Sequence, residues 1–253
     1  MNFKLISLNI WQGGLLLDQA IQFLKDEDPD IIALQEVFNS DTLSLDKRFR
    51  TVQILKAEFP EYNFSFSADQ FQNIDSENVD RGNLVMSKFK IKSSKAHFYD
   101  IKYGEVNEEN RVDFTDIPRN LQHVEIEFQN STINLFNTHG IWGFDNADNP
   151  RRTNMANIIV NESKGKANVI VCGDFNVDQN SNTIAIIEEQ LKNIFKNEYK
   201  TSFNLKHKED GGFAVAMVDM IFISGDLNVL KHARPEVNIS DHLPVVAELE
   251  LII

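Results

Sequence analysis

The sequence predicts an α/β fold, in which strands and helices alternate along one chain. Near the N terminus an apolar strand precedes an amphipathic helix, the same order then repeats, and further strands recur to the end of the chain. The chain has 253 residues, of which 42% are hydrophobic, enough to form a sizeable core. Because no linker rich in Pro, Gly or Ser divides it and no segment repeats, we predict a single domain over residues 1–253.

The first half of the chain opens with two strand and helix pairs. FKLISLN at 3–9 predicts a strand, and apolar residues at helical spacing follow it until Pro29 stops them. DIIALQEV at 30–37 predicts the second strand, and the helix after it is closed by Pro60. Further strands are predicted at 62–68, 83–87, 90–98, 119–128 and 131–138.

The second half adds two helices and the remaining strands. Apolar spacing predicts helices from about residue 150 and over 182–195, with strands at 168–173, 218–223, 227–233 and 245–251. Two acidic stretches, 69–80 and 100–116, are predicted to be long loops. Loops of that length usually form functional rims or mobile segments.

Charge and composition exclude several classes of protein. Lys and Arg total 25 against 38 Asp and Glu, a formal charge of −13, which opposes a broad basic surface for polyanions. The single cysteine, Cys172, lies in an apolar strand and is expected to be a core residue, so no intrachain disulfide forms. No apolar run approaches the ~20 residues of a membrane span. We therefore expect a soluble, cytoplasmic protein without stable membrane insertion, since residues 1–9 also lack the order of a signal peptide.

Polar side chains recur where apolar strands end. They are Asn9, Glu36, His139, Asp174 and Asn176, and the turn before the last strand adds Asp241 and His242. Each one alone is explained equally well as a turn, cap or solvated residue. Together they predict one rim of carboxylates, amides and imidazoles, which would be electrostatically unfavourable unless a cation and an anion lay between them.

These residues carry a resemblance to a known family. LNIW at 8–11, LQEV at 34–37, GNLVMS at 82–87, NTHG at 137–140, GDFN at 173–176, VDMIF at 218–222 and SDHLPV at 240–245 resemble, in order and spacing, the endonuclease/exonuclease/phosphatase superfamily. The resemblance implies a four-layer α/β sandwich, with two mixed β-sheets packed face to face, helices outside and an active site along one edge.

The resemblance also implies roles for the rim. Glu36 would be the principal ligand of Mg²⁺ or Mn²⁺, assisted by Asn9 and Asp241, and such oxygen donors suit a hard cation. Asp174 would orient or deprotonate the attacking water, and Asn176 would hydrogen-bond the phosphoryl oxygen. His242 would contact the scissile phosphate with Asp219 as its carboxylate partner, and His139 would meet a phosphate oxygen or the leaving group.

The sequence departs from the deoxyribonuclease pattern at one position. Where that branch has a glutamate partner for the residue matching His139, this chain has Arg81, which could instead hold a substrate phosphate or be a solvated residue. Arg119 and Trp142 are the other candidate substrate contacts. Arg151 and Arg152, at a helix start, are expected to be a solvated face, with substrate contact as the alternative.

The expected reaction is hydrolysis of a phosphoester substrate by in-line attack of water. We favour a phosphodiesterase that cleaves nucleic acid, as an endonuclease or exonuclease. The alternative is a phosphatase, or a phospholipase C resembling sphingomyelinase, that acts on a small or lipid-linked phosphoester. A non-catalytic binding relative is the weaker alternative, because every acid, amide and imidazole of the motifs is intact.

Overall fold

The computed structural model describes residues 2–108, 111–208 and 214–252. The strands in these ranges are β1 (Asn2–Asn9), β2 (Ile31–Asn39), β3 (Asn63–Ile74), β4 (Glu77–Ser87), β5 (Ile91–Phe98), β6 (Asn120–Phe128), β7 (Ser131–His139), β8 (Val169–Asp174), β9 (Lys192–Asn193), β10 (Asp219–Ile223), β11 (Leu227–Ala233) and β12 (Val245–Leu251). The α-helices are α1 (Leu17–Glu27), α2 (Thr51–Glu58), α3 (Pro150–Ser163) and α4 (Asn182–Glu188), and a 3₁₀ turn at Lys47–Arg50 precedes α2.

The strands form two mixed sheets of six strands each. One has the order β11-β12-β1-β2-β4-β3 and the other β5-β6-β7-β8-β10-β9. Each sheet has one parallel pair at its centre, β1 with β2 and β7 with β8, and the other neighbours are antiparallel. This pattern places the ends of the central strands of each sheet at one edge.

The main core lies between the two sheets. Leu5, Ile31 and Val85 of the first sheet share a buried cluster with Leu135 and Ile221 of the second. Cys172 belongs to the same cluster and is fully buried, which confirms its prediction as a core residue. Since both sheets need this shared core to bury their inner faces, each depends on the other for stability.

The helices cover the outer faces of the sheets. Because side chains alternate along a strand, Ile6 and Leu8 of β1 point away from Leu5, and they pack with α1 and α2. In the second sheet Phe136 and Val171 pack in the same way against α3 and α4. The four-layer α/β sandwich with helices outside is therefore confirmed. The single domain over 1–253 stays a prediction.

The predicted loop at 69–80 is wrong. In the structure β3 and β4 continue through it as a long hairpin, whose turn residues Asp75 and Ser76 have φ values of 50° and 69°. A two-residue hairpin turn requires such left-handed residues. The sequence did not reveal these strands because most side chains in this part of the hairpin are polar, so the alternation of apolar and polar residues typical of a strand is missing. Val79 is the buried apolar exception.

The predicted helix at 182–195 is also too long. It ends at Glu188, and Lys192–Asn193 instead pairs with β10 at the edge of the second sheet. In contrast, the described part of 100–116 holds no helix or named strand, as predicted. Among the described residues, no helix combines the length and apolar composition needed to cross a membrane.

Candidate active site

Sheet topology brings the strand-end residues to one edge. Asn9 ends β1 and lies beside Gln35 of the parallel strand β2, one residue before Glu36. In the second sheet His139 ends β7 and is the register partner of Asp174, which ends the parallel strand β8. The carboxyl ends of both parallel pairs thus meet above the core that joins the sheets.

Antiparallel neighbours contribute their opposite ends to the same edge. Asp219 starts β10, which runs antiparallel to β8, so it is paired with Asp174. Asp241 and His242 directly precede β12, which runs antiparallel to β1. Residues far apart in sequence therefore converge because the starts of antiparallel strands lie beside the ends of their partners.

These residues line one cleft of about 180 Å³. Every predicted site residue except Asp219 lines it, namely Asn9, Glu36, Arg81, Arg119, His139, Trp142, Asp174, Asn176, Asp241 and His242. Asp219 lies behind His242, with only 1% of its surface exposed. Trp11, whose position just after Asn9 predicts a place near the metal rim, also lines the cleft. The wall further includes residues that the sequence did not single out for this role, namely Gln12, Glu108, Phe114, Phe203 and Lys208.

Glu36 takes an unusual backbone conformation at the floor of the cleft. Its φ is 62°, at a bulge where the register between β2 and β4 shifts. Its Oε2 accepts a hydrogen bond from the backbone N–H of Gln12 over 2.6 Å. Trp11, Gln12 and Asn176 also have positive φ. Left-handed conformations of residues other than glycine are strained and tend to cluster at functional sites.

The charge of Glu36 is set by its cationic neighbours. Burial alone would raise the pKa of its carboxyl, but the charges of Arg81 and Arg119 and the hydrogen bond from the N–H of Gln12 lower the pKa well below the usual value. Glu36 is therefore ionised. Its Oε1 lies 2.9 Å from Nη2 of Arg81 and 3.8 Å from Nε2 of His139.

Asp174 is held by hydrogen bonds to both of its oxygens. Oδ2 accepts from Nδ2 of Asn9 over 3.1 Å, and Oδ1 accepts from the backbone N–H of Asn176 over 2.8 Å. Burial and the charge of Asp219 raise the pKa of Asp174, while His242 opposes the shift. The carboxyl is therefore more basic than an exposed aspartate, and its orientation is fixed.

His242 and His139 differ in charge although both flank Asp174. Nδ1 of His242 lies 2.8 Å from Oδ2 of Asp219, as expected for the predicted pair. Burial lowers the pKa of His242, but the charges of Asp219 and Asp174 outweigh burial and raise the pKa to about 10. In contrast, burial and Arg119 hold the pKa of His139 well below its usual value. His242 is thus an imidazolium beside a neutral His139.

The two predicted arginine contacts differ in how fully they are paired. Arg81 forms ion pairs with both Glu36 and Glu108, and is 4% exposed. Arg119 is equally buried, but its nearest carboxylate oxygen among the described residues, on Asp69, is 3.9 Å away; its Nε, like that of Arg81, has no hydrogen-bond partner in the described part of the chain. Arg119 is therefore the guanidinium better able to bind an added anion.

Trp142 lies in an aromatic rim over the cleft. Its ring makes edge contacts with Phe114 and Phe144, at centroid distances of 5.5 and 5.0 Å. Phe144 is 67% exposed. The rim therefore offers an apolar surface to a bound molecule at the mouth of the cleft.

Arg151 and Arg152 stabilise the segments around this rim, and only Arg151 is partly exposed to solvent. Arg152 is fully buried and donates to the carbonyl oxygens of Ile141 and Ala147, so it organises the segment that follows β7. Arg151 pairs with Asp100 and donates to the carbonyl oxygen of Thr115. The expectation of a solvated face is wrong for Arg152, because its charge is satisfied by carbonyl groups and by Asp145.

Lys208 was not anticipated by the sequence motifs. Its Nζ lies 2.8 Å from Oδ2 of Asp241. The side chain comes from an irregular segment with no strand end to mark it, so the signal that located the other residues is missing. Glu108 belongs to the acidic loop 100–116, where length alone indicated a rim.

Comparison with known proteins identifies the family. The sequence matches the model of the Endonuclease/Exonuclease/phosphatase family over residues 6–242. The chain belongs to this family. Members of the superfamily are phosphoesterases, and the match includes every residue from Asn9 to His242 that lines the cleft. No curated protein sequence matches the chain closely enough to refine this assignment.

Solved structures share the fold of this family member. An endonuclease/exonuclease/phosphatase from Bacteroides vulgatus superposes with a TM-score of 0.71 at 20% identity, over 99% of each chain. A mannosyl-6-phosphatase from Bacteroides thetaiotaomicron has a TM-score of 0.71 at 18% identity, over 98% of this chain and 100% of that one. TDP2 from D. rerio, complexed with a single-stranded DNA product, has a TM-score of 0.70 at 16% identity, over 98% and 99%. At these identities the likeness establishes the fold alone.

The donor groups of this family member fit a divalent cation. The predicted carboxylate ligands, Glu36 and Asp241, each contact a cationic side chain of the protein, Arg81 at 2.9 Å and Lys208 at 2.8 Å. Nearby, the ligand atoms of Asp174, Asp219 and His242 lie within 4.8 Å of one another. Carboxylate oxygens that already contact cationic groups suit a hard metal ion.

Proposed function

We propose that this protein is a divalent-metal-dependent phosphoesterase that hydrolyses its substrate by in-line attack of water. The observation that supports this most directly is the arrangement around Asp174. A buried carboxyl with a raised pKa lies 3.8 Å from an imidazolium, His242, and 3.6 Å from a neutral imidazole, His139. The site thus combines a fixed proton acceptor with a fixed positive charge.

Each residue has a role that follows from its charge and contacts. Asp174 accepts the proton of the attacking water, because its pKa is raised and Asn9 and Asn176 fix its orientation. His242 meets the negative charge that develops on the phosphoryl oxygens, and Asp219 keeps its ring oriented and protonated. Neutral His139 donates or accepts one hydrogen bond at the phosphate or the leaving group.

Glu36, Asn9 and Asp241 would hold Mg²⁺ or Mn²⁺, and that cation would supply further positive charge for the phosphoryl group. Arg119 would then bind a non-bridging oxygen of the substrate, since its guanidinium is incompletely paired. Arg81 is the weaker substrate contact of the two, because Glu36 and Glu108 already share its charge.

The cleft walls favour a small or lipid-linked phosphoester. The sequence led us to favour nucleic acid, but the acidic loop 100–116 borders the cleft through Glu108, and Glu105 lies in the pocket next to it. These carboxylates weaken the attraction for a long polyanion. Nucleic acid remains the second candidate because the rim of Trp142 and Phe144 could stack on an unpaired base.

A substrate panel with and without EDTA tests the proposal. We expect EDTA-sensitive hydrolysis of bis-p-nitrophenyl phosphate with added Mg²⁺ or Mn²⁺, and a loss of at least a hundredfold in the His242→Ala variant, about 3 kcal/mol of transition-state stabilisation. The panel should include plasmid DNA, single-stranded DNA, RNA, sphingomyelin and inositol phosphates. Failure to hydrolyse any of these with either metal would overturn the proposal and leave a binding relative as the better interpretation.

A further inference from the structure

A second compartment adjoins the candidate active site. Its volume is about 380 Å³, larger than the cleft of about 180 Å³ that holds Asp174 and His242. The two spaces share Gln12, Glu108 and Phe114 at their boundary. A molecule whose phosphorus atom lies in the cleft would therefore extend its remaining part into this compartment.

The compartment is formed by segments that project beyond the shared core. One wall is the β3 part of the long hairpin, which contributes Gln72 and Asn73. Another is the start of loop 100–116, which is hydrogen-bonded to β3. Phe71 donates from its backbone N–H to the carbonyl of Gly104 over 3.1 Å and accepts from the N–H of Val106 over 2.9 Å. These bonds hold the two walls together, so the space between them is a defined pocket.

The lining suits an uncharged polar group. Two carboxylates, Glu105 and Glu108, and one guanidinium, Arg48, line the compartment. Glu108 is also paired with Arg81, whereas Arg48 lies 4.5 Å from the ring centroid of Phe49 and donates weakly to Gln12 over 3.4 Å. A second phosphate in this space would meet the carboxylates, whereas hydroxyl groups can donate to them.

Gln72 provides a separate indication of a ligand. The side chain lines the compartment and is 7% exposed, yet its Nε2 has no hydrogen-bond partner among the described residues. A buried amide nitrogen without an acceptor is energetically unfavourable. A ligand oxygen reached by rotation of this amide would satisfy it. The rings of Phe38, Phe49 and Phe114 add apolar surface to the same pocket, against which the C–H face of a ring can pack.

We propose that the substrate is a phosphate ester of a neutral, hydroxyl-bearing ring of about monosaccharide size, and that this second compartment binds the ring. The proposal rests on the phosphoesterase function and adds the chemistry of the group that the phosphate carries. Hydroxyl groups donate to Glu105 and to side-chain amide oxygens, a ring oxygen accepts from Gln72, and the apolar face of the ring packs on the phenylalanines. A polynucleotide is disfavoured as substrate, because its additional phosphates would lie beside the carboxylates of Glu105 and Glu108.

Comparative kinetics test this assignment. The panel consists of hexose 6-phosphates, inositol monophosphate, nucleoside 5′-monophosphates, fructose 1,6-bisphosphate and a short single-stranded oligonucleotide, with p-nitrophenyl phosphate and bis-p-nitrophenyl phosphate as references that report on the phosphoryl site. We expect kcat/KM for at least one singly phosphorylated hydroxyl-bearing ring to exceed that of p-nitrophenyl phosphate by tenfold or more. Faster turnover of the oligonucleotide or of the bisphosphate would overturn the proposal.

Variants of the compartment localise the effect. Gln72→Leu should lower the ratio of kcat/KM for the preferred ring phosphate over bis-p-nitrophenyl phosphate about tenfold, mainly through KM. The exposed neighbour Asn73→Ala, which leaves the buried side chains in place, should lower the same ratio severalfold and serves if Gln72→Leu does not fold. Gln190→Leu, an exposed glutamine that lines neither space, is the matched control and should leave the ratio unchanged. An unchanged ratio in the folded compartment variants would contradict the assignment, whereas loss of all metal-dependent turnover in the wild-type protein would instead reject the phosphoesterase function.

Discussion

Arg81 donates to Oε1 of Glu36 over 2.9 Å, and the same guanidinium pairs with Glu108. A cationic side chain thus occupies one oxygen of the residue expected to be the principal metal ligand. Glu36 is strongly attracted to positive charge, and Arg81 competes with any cation that approaches it. We therefore expect the ion pair to lower the affinity for a metal ion at Glu36 and to stabilise the metal-free protein.

Replacement of Arg81 by Met should tighten metal binding. We expect at least tenfold tighter Mn²⁺ binding by isothermal titration calorimetry, about 1.4 kcal/mol, because the competing charge is removed. The metal-free variant should be less stable by about 3–5 kcal/mol, since Glu36 and Glu108 lose their buried counter-charge. Arg234→Met removes an arginine that pairs with Glu236 outside the cleft and serves as the control. Equal or weaker Mn²⁺ affinity in Arg81→Met would show that the two cations do not compete.

Removal of the Asp219 carboxylate should change the charge of His242. Asp219 is the main reason that the pKa of His242 rises to about 10 despite burial, so Asp219→Asn should lower that pKa and shift the alkaline limb of activity to lower pH. His242 stabilises the fold through this raised pKa below about pH 6.5, the usual histidine value, and the contribution is lost as pH rises through about 10. The variant should lose that pH dependence of stability.

NMR titration of the imidazole carbons in metal-free protein measures the change in His242 directly. Glu198→Gln is a matched control, because it removes the carboxylate partner of a different imidazole, His232, at 2.8 Å. If the pKa of His242 is the same in Asp219→Asn as in the wild type, Asp219 does not hold the proton.

Much of this site was predictable because strand ends are visible in a sequence. Glu36, His139 and Asp174 each interrupt an apolar run, and the fold brings such interruptions to one edge through two parallel pairs. The family resemblance then supplied the sandwich that stacks the two edges. Asn176 shows the limit of this reasoning. Asn176 lies beyond the end of β8 and reaches the cleft through a left-handed turn, with φ of 55°, which strand-end reasoning does not predict.

The contacts of arginines and irregular segments could not be predicted in the same way. Arg152 follows Pro150 at a helix start, which is typical of an exposed residue, yet it is fully buried because carbonyl groups of the preceding segment surround its guanidinium. Glu108 and Lys208 lie in irregular segments, where position depends on tertiary contacts that leave no periodic pattern. The second compartment depends on the same segments.

Conversion of Asp174 to Asn should separate activity from stability. Burial raises the pKa of Asp174 above the value in the unfolded chain, so its contribution to stability declines as pH rises from about 4 through the folded pKa. The amide avoids that cost, and the metal-free variant should melt at neutral pH no lower than the wild type. Hydrolysis should fall at least a hundredfold, because the proton acceptor is lost.

Calorimetry between pH 5 and 8 and kcat on bis-p-nitrophenyl phosphate are the two measurements for Asp174→Asn. Asp178→Asn changes an aspartate outside the cleft whose carboxylate accepts a local backbone hydrogen bond from Asn180, and it should behave as wild type in both measurements. A wild-type rate in Asp174→Asn would remove the residue from the mechanism. A much lower melting temperature at neutral pH would show that its ionised form stabilises the fold.

Gly173 positions Asp174 by allowing two strands to approach closely, and its replacement should affect both stability and the site. A Cβ at Gly173 would lie 2.0 Å from the carbonyl oxygen of Thr138, the register partner on β7, and its φ is 136°. The end of β8 must therefore move in Gly173→Ala, and we expect a loss of about 2–4 kcal/mol in urea unfolding together with reduced activity.

Alanine substitutions at two other glycines distinguish the steric clash at Gly173 from backbone strain. Gly165 has φ of 76° with nothing within 4 Å of an added Cβ, so Gly165→Ala carries the strain alone, about 1 kcal/mol. Gly225 has open space and no left-handed φ, so Gly225→Ala should be nearly neutral. The free energy of unfolding should therefore decrease in the order Gly225→Ala, Gly165→Ala, Gly173→Ala, and only the last should lower kcat. If Gly173→Ala and Gly165→Ala lower the free energy of unfolding by the same amount, β8 can shift without loss of stability. Close packing against Thr138 would then not be what fixes Asp174 in the cleft.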